Sequence, residues 1–237
     1  MLAIGKKLSM KQNINYKKIV TLKDTLNVPI LECGEPMMIL DKTQFKIEYR
    51  KFDMIEATGD NMYARKSVVE KLKKAQQEMK LKNSNWQFLI AYAYRTPEIQ
   101  EKYFKRKLSE VKISEPDLSE AEQIELAHSM VAHPDSAGHT TGGAVDITIW
   151  DNKNGQELDM GSGIAQFGDI AYTLFPDIRE QQKSNRLYLQ KILMDVGFAP
   201  FLGEWWHFSY GDKEWAFYYK KDFSIYQKIV DTSFTRC

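Results

Sequence analysis

The sequence of 237 residues has little of what marks the specialised protein classes. It contains two cysteines, Cys33 and Cys237, and because the second is the last residue, a disulfide framework is not expected. Glycine (13) and proline (7) are too few for a collagen-like or low-complexity chain. Lysine plus arginine (33) nearly balance aspartate plus glutamate (32), so the net charge is +1 and no nucleic-acid partner is expected.

Long apolar runs are also absent. No segment is apolar enough for a membrane span, and residues 1–18 lack the apolar core of a secretory signal. The chain as written is therefore expected to be cytoplasmic, whereas removal of an upstream signal would make it periplasmic or secreted. Hydrophobic residues make up 43% of the chain, as in globular proteins. We expect one domain, 1–237, with residues 1–25 as a candidate for a loosely ordered amino-terminal extension.

Hydrophobic periodicity predicts alternating helices and strands. Residues 66–82 place apolar side chains at helical spacing and predict an amphipathic helix. The apolar and aromatic segment 86–94 predicts a buried strand that ends at Arg95. Residues 185–196 predict another helix, followed by Gly197 where a left-handed cap would lie.

Two positions carry the signals of a helix start. Thr96 is followed by Pro97, which combines an N-cap residue with a first-turn proline. Ser119 has Glu122 three residues later, the pattern of a capping box. We therefore expect a helix to begin after each, the first directly behind Arg95.

The carboxyl-terminal part contains aromatic segments. Residues 205–210 and 215–219 are rich in tryptophan, tyrosine and phenylalanine, and both are predicted as strands. With the helices, these strands predict an α+β fold in which helices pack on a small central antiparallel sheet.

Two of the four histidines stand in informative surroundings. Residues 139–150 form a glycine-rich turn that leads into a strand, and Asp146 lies on the strand face opposite the alternating apolar residues. A buried aspartate is costly unless it is paired, and a divalent cation is one suitable partner. His139, at the start of this segment, and His207, in the aromatic region, could reach the same ion.

Two imidazoles and one carboxylate leave a zinc ion one open position, as in catalytic zinc sites. Glu204, three residues before His207, is then predicted to be the general base that acts on the zinc-bound water. Arg95 could stabilise negative charge on the scissile carbonyl oxygen. From spacing alone, the alternative stays open that these residues are ordinary hydrogen-bonded polar groups at strand ends.

The same residues form recognisable motifs. The pattern H-x-x-G-x-A-x-D runs from His139 to Asp146, and E-x-W-H runs from Glu204 to His207. Together they resemble the D-Ala-D-Ala dipeptidases, a family of zinc peptidases. Supporting segments that extend the resemblance over about 28–219 are 94–97, 157–161 and 203–212.

The resemblance implies a function for each motif residue. His139, Asp146 and His207 would bind one zinc ion per chain, at the ends of strands. Glu204 would be the catalytic base, and Arg95 would stabilise the transition state. The implied reaction is hydrolysis of D-alanyl-D-alanine to free D-alanine.

Two positions depart from the family pattern. Ala137 stands where a serine is usual, two residues before the first zinc histidine. Ala165 stands at the place of an aspartate that holds the free amine of the dipeptide. Losing that carboxylate would remove a charge-assisted hydrogen bond worth roughly 1.5–3 kcal/mol, for which Asp169 could compensate.

These departures leave other functions open. The nearest alternative is a zinc D,D- or L,D-carboxypeptidase that acts on longer peptidoglycan stem peptides. A second is a metal-dependent binding module without catalysis, against which the retained Glu204 argues. The expected partner is accordingly a small D,D-dipeptide or a stem peptide.

Other reactive side chains receive a structural interpretation. His128 is expected on a helix and His133 near its end, without a catalytic function. Cys33 has no histidine near it in sequence and is not expected to be a nucleophile.

Overall fold

The computed structural model describes residues 19–50 and 52–236, which form helices packed on a mixed sheet. The helices are α1 Leu22–Leu26, α2 Ile55–Thr58, α3 Lys66–Lys82, α4 Pro97–Ser114, α5 Glu120–His128, α6 Glu180–Met194 and α7 Lys213–Tyr218. The strands are β1 Met37–Ile39, β2 Lys46–Ile47, β3 Tyr63–Arg65, β4 Trp86–Tyr92, β5 Ala144–Asp151, β6 Gln156–Glu157, β7 Ala199–Pro200 and β8 His207–Ser209. Short 3-10 turns are Gly138–Thr141, Asp169–Ala171 and Ser233–Arg236. The α+β class is therefore confirmed.

The predicted amino-terminal extension, 1–25, falls mostly outside the described residues. Its last part belongs to α1, which begins after Thr21 with a capping box between Thr21 and Asp24. No helix in the described ranges is both long and apolar enough to cross a membrane.

The main sheet has the strand order β2-β4-β5-β8-β7, with β6 beside the far end of β5. The central pairs β4–β5 and β5–β8 are antiparallel, as predicted. The edge strand β2 is parallel to β4 and makes the sheet mixed. Strands β1 and β3 form a separate antiparallel pair.

The main hydrophobic core lies on one face of this sheet. Val145, Ile147 and Ile149 point from β5 into that core and are fully buried. Helix α3 covers them with the apolar stripe predicted from its sequence, namely Val68, Val69, Leu72, Ala75 and Met79. Because side chains alternate along a strand, Asp146 is directed to the opposite face.

The predicted helix starts are confirmed. Helix α4 begins at Pro97, and the Thr96 hydroxyl accepts a hydrogen bond from the backbone N–H of Ile99. Helix α5 begins after Ser119, which exchanges hydrogen bonds with Glu122 in a complete capping box. Other boundaries shift: the strand predicted over 86–94 ends at Tyr92, and the helix predicted over 185–196 spans Glu180–Met194.

The strand predicted over 215–219 is wrong, because these residues belong mostly to helix α7. Asp212 caps this helix, and its Oδ1 accepts a hydrogen bond from the backbone N–H of Trp215 at 2.8 Å. The cap therefore outweighs the strand preference of the aromatic residues. The strand predicted over 205–210 is correct in type, although β8 covers only its centre.

Candidate active site

The register of the central strands brings Asp146 and His207 together. Asp146 on β5 lies directly opposite Tyr92 on β4 and His207 on β8. Residues opposite each other in antiparallel strands direct their side chains to the same face. The Nδ1 atom of His207 accordingly lies 3.1 Å from Oδ1 of Asp146.

His139 reaches the same carboxylate from the 3-10 turn before β5. Its Nε2 atom lies 3.3 Å from Oδ1 of Asp146, and its Nδ1 lies 2.6 Å from the carbonyl oxygen of Ala93. Because a carbonyl oxygen can only accept, Nδ1 must donate the hydrogen bond. This contact fixes the ring and leaves the lone pair of Nε2 directed toward the carboxylate in the neutral imidazole.

Two glycines shape the turn that carries His139. Gly142 has a φ of +72°, a left-handed conformation that suits glycine. At Gly138 a Cβ atom would overlap the Asp212 carboxyl, so the first turn of α7 can pack closely only against glycine. The glycines therefore permit the tight turn from which His139 reaches the sheet.

The three side chains form a compact group of candidate metal ligands. One ligating atom each from His139, Asp146 and His207 lies within 4.8 Å of the other two. Between 8% and 13% of each side chain is exposed. The structure thus brings together the three predicted ligands, which are separated by up to 68 residues in sequence.

The protonation states of these groups follow from their burial and mutual contacts. Burial acts to raise the pKa of Asp146, but the two imidazoles hold that pKa well below its usual range. Burial lowers the pKa of His139 to about 4. Burial acts in the same direction on His207, but its hydrogen bond to Asp146 and the charge of that carboxylate raise its pKa to about 9.

This donor set fits a divalent cation such as zinc. An ionised carboxylate and the lone pair of a neutral imidazole face each other at 3.3 Å, an arrangement that a cation between them would stabilise. His207 would release its proton when the metal binds, as metal ligands generally do. Nitrogen and oxygen ligands of this kind are typical of catalytic zinc sites.

Glu204 lies in the turn that leads into β8. Its backbone N–H donates to the carbonyl of Phe201 at 3.1 Å, and its own carbonyl accepts from the N–H of His207 at 3.0 Å. The half-buried side chain lines the cleft onto which Asp146 and His207 open. This cleft has a volume of about 90 Å³.

Arg95 lines the same cleft and is held on several sides. Its backbone N–H donates to the carbonyl of His139 at 3.1 Å, and its Nη1 donates to Oε1 of Gln100 at 2.7 Å. The guanidinium lies over the rings of Tyr92 and Tyr103, 4.5 Å and 5.2 Å from their centroids. Its buried Nε has no hydrogen-bond partner among the described residues, so a donor remains for a ligand.

Comparison with known proteins identifies the family of this chain. The sequence model of the peptidase family M15, described as D-ala-D-ala dipeptidase, matches residues 43–229. The chain belongs to this family. It is therefore a hydrolase of the peptidase class, and the resemblance noted from its motifs is confirmed.

Two relatives in sequence carry the same description, and one solved structure is that of a carboxypeptidase. A D-alanyl-D-alanine dipeptidase of Synechocystis sp. is 29% identical over 236 residues, 88% of this chain and 95% of that protein. The D-alanyl-D-alanine dipeptidase of Escherichia coli is 35% identical over 73 residues, 31% of this chain and 37% of that protein. The solved structure of the LD-carboxypeptidase LdcB is 19% identical in sequence and superposes with a TM-score of 0.42. The match covers 77% of this chain and 71% of the LdcB chain.

The two departures from the family pattern lie at the cleft. Ala137 and Ala165 both line it, and Ala165 has a φ of +62°, an uncommon conformation for a residue other than glycine. Asp169, the candidate replacement for a missing carboxylate, is exposed and does not line the cleft. Its expected compensation for Ala165 therefore finds no support in the position of the side chain.

Glu214, which no sequence motif indicated, also lines the cleft. The Oε1 atom of this residue is buried without a hydrogen-bond partner in the part of the chain that the structure describes. Burial raises the pKa of Glu214 to about 8. Glu214 was missed because residues 215–219 were predicted to be a strand. The Asp212 cap was the signal that would have placed Glu214 in the first turn of a helix.

His128 lies at the end of α5, as expected, and His133 follows it. The Nδ1 atom of His128 accepts a hydrogen bond from the backbone N–H of His133 at 3.0 Å. The ring of His133 packs edge-on against Phe104, with centroids 4.8 Å apart. Burial lowers the pKa of His128 from its ordinary 6.5 to about 4, and His133 adds a smaller effect.

This lowered pKa predicts a pH dependence of stability. His128 is neutral in the folded chain down to about pH 4, whereas the unfolded chain takes up a proton near pH 6.5. The free energy of unfolding should therefore fall as the pH drops from 7 to 4.5, with about 2–3 kcal/mol from this group. In urea denaturation, His128→Asn, which keeps an acceptor for the N–H of His133, should lose less stability over this range than the wild type. An identical pH dependence in the two proteins would contradict the assignment.

Proposed function

We propose that the chain is a zinc-dependent dipeptidase that hydrolyses D-alanyl-D-alanine to free D-alanine. The observation that supports this most is the convergence of His139, Asp146 and His207 within 4.8 Å, at a cleft also lined by Glu204 and Arg95. Membership of the M15 family supports the substrate class. In this proposal the three converging side chains hold one zinc ion per chain.

The metal would supply the electrophilic part of the chemistry. Zinc held by two imidazoles and a carboxylate keeps a coordination position open, lowers the pKa of water to near 7 and polarises a carbonyl group. The chain's contribution is to keep the ligands fixed. Ala93 does this for the ring of His139, through the hydrogen bond that orients Nε2.

Glu204 is the proposed general base. It accepts a proton from the attacking water while the water oxygen bonds to the carbonyl carbon of the scissile peptide. The peptide C–N bond then breaks, and Glu204 passes the proton to the leaving amine. The products are two molecules of D-alanine.

Arg95 is proposed to stabilise the negative charge that develops on the carbonyl oxygen. Its Nε is a buried donor without a partner among the described residues, and Gln100 and the ring of Tyr92 hold the guanidinium in place. Donors that are fixed in advance need no reorganisation when the charge appears, which makes them effective in catalysis.

One observation favours a second candidate, a zinc D,D- or L,D-carboxypeptidase acting on longer stem peptides. Ala165 lines the cleft where a carboxylate for the free amine of a dipeptide was expected. A substrate whose amine is already acylated has no ammonium group to pair with that carboxylate, so the absence of the carboxylate would not weaken its binding. This leaves the choice to an assay of the purified protein.

The substrate assay compares D-Ala-D-Ala with a muropeptide pentapeptide that ends in D-Ala-D-Ala. The proposed function predicts release of free D-alanine from the dipeptide, measured by a coupled D-amino-acid oxidase reaction. Cleavage of the pentapeptide with no cleavage of the dipeptide would favour the carboxypeptidase instead.

Two substitutions separate metal binding from catalysis. Glu204→Gln should retain zinc, measured by mass spectrometry, and lose at least about 10²–10⁴-fold in kcat because the base is gone. His207→Ala should lose zinc and activity together, whereas His133→Ala, a matched histidine substitution outside the ligand set, should keep both. Full activity in the Glu204 variant would refute its role as the base.

A further inference from the structure

Glu214 is a carboxyl group in the cleft that the proposed mechanism does not use. It lies in the first turn of α7 and lines the cleft together with His207 and Glu204. No hydrogen bond to its Oε1 is formed within the described residues, although this atom is buried. A buried acceptor without a partner is unfavourable, so the position calls for a donor from outside the chain.

The charges around Glu214 do not neutralise it. His207 attracts the carboxylate, whereas Asp212 and Glu204 repel it. Within the described part of the chain two arginines line the cleft, and both are engaged elsewhere. Arg95 donates to Gln100 at 2.7 Å. Arg50 pairs with Glu48 at 3.0 Å and with Glu157.

The acids that line the cleft divide by function. Among the residues that the structure describes, they are Asp146, Glu204 and Glu214. In the proposed function Asp146 binds the metal and Glu204 carries the proton, so both are committed. Glu214 is the remaining acid at the cleft that can face a positive charge on the ligand.

We propose that Glu214 binds a primary ammonium group of the substrate and thereby determines which peptides are accepted. This inference rests on the proposed function. The ammonium group has two sources, the free α-amine of a dipeptide or the side-chain amine of a diamino residue in a stem peptide. An ammonium group presents three donors, and hydrogen bonds between charged partners are the strong ones. Burial raises the pKa of Glu214 in the free protein, and a bound ammonium group would favour the ionised carboxylate. Glu214 would then supply from α7 the anion that Ala165 does not supply from its loop.

The test uses the zinc-loaded full chain and three substrates. D-Ala-D-Ala has a free α-amine, N-acetyl-D-Ala-D-Ala has no ammonium group, and Nα-acetyl-L-Lys-D-Ala-D-Ala has only a side-chain amine. The variant is Glu214→Gln, which keeps the size and removes the charge. Its matched control is Glu120→Gln, an exposed glutamate in the first turn of α5.

Glu214→Gln should lower kcat/KM about 10- to 100-fold, mainly through KM, for the substrate whose ammonium group it binds. The acetylated dipeptide should be unaffected, and Glu120→Gln should behave as wild type. A loss confined to D-Ala-D-Ala identifies the α-amine, and a loss confined to the lysine peptide identifies the side-chain amine. Equal losses on all three substrates, or no loss on any, would overturn the inference.

A second measurement does not depend on the variant folding. D-alaninamide and Nα-acetyl-L-lysinamide each carry one free ammonium group. For the wild type, at least one of them should inhibit peptide hydrolysis with an inhibition constant at least about ten times lower than that of its fully acetylated counterpart. Equal inhibition by charged and uncharged forms would also overturn the inference.

If the wild type hydrolyses none of the three peptides, the proposed function fails and this inference with it. If the wild type hydrolyses the peptides and Glu214→Gln hydrolyses each of them equally well, the inference alone fails.

Discussion

The contact on which the site depends is that of one buried carboxylate, Asp146, with two imidazoles. Asp146 lies in β5, between β4 and β8, and the strand register places it directly opposite His207. A one-residue slip of β8 would direct His207 to the other face of the sheet and separate the pair. The packing of Phe208 of β8 against the core that holds Val145 and Ile147 of β5 opposes such a slip, so the core and the site are fixed by the same alternation.

Around this contact the chain arranges groups that remain unsatisfied on their own. The Nε of Arg95 is a buried donor without an acceptor, and Oε1 of Glu214 is a buried acceptor without a donor, within the residues that the structure describes. Both belong to the cleft at which His139, Asp146 and His207 converge. Groups of this kind cost stability in the free protein and are typical of sites that a ligand completes.

Much of this was predictable because the signals are local. The helical stripe of α3, the caps at Thr96 and Ser119 and the alternation in β5 each depend on residues close together in sequence. The convergence of His139, Asp146 and His207 was predicted as well, but it needed the motif resemblance, because spacing alone does not fix the register of distant strands.

The errors arose where two signals competed or where a partner is distant. In 213–218 the Asp212 cap opposed a run of aromatic residues, and the strand prediction followed the aromatic residues. Glu214 was missed for that reason. The support of Arg95 by Gln100 and two tyrosine rings was also not foreseen, because it depends on the position of α4 against the sheet.

The central claim is that one zinc ion is held at the point shared by the two imidazoles and Asp146. Anomalous diffraction at the zinc edge from crystals of the zinc-loaded protein tests it directly. We expect a single strong peak about 2.0–2.2 Å from His139 Nε2, Asp146 Oδ1 and His207 Nδ1. A peak elsewhere, with both imidazoles still in contact with the Asp146 carboxylate, would contradict it.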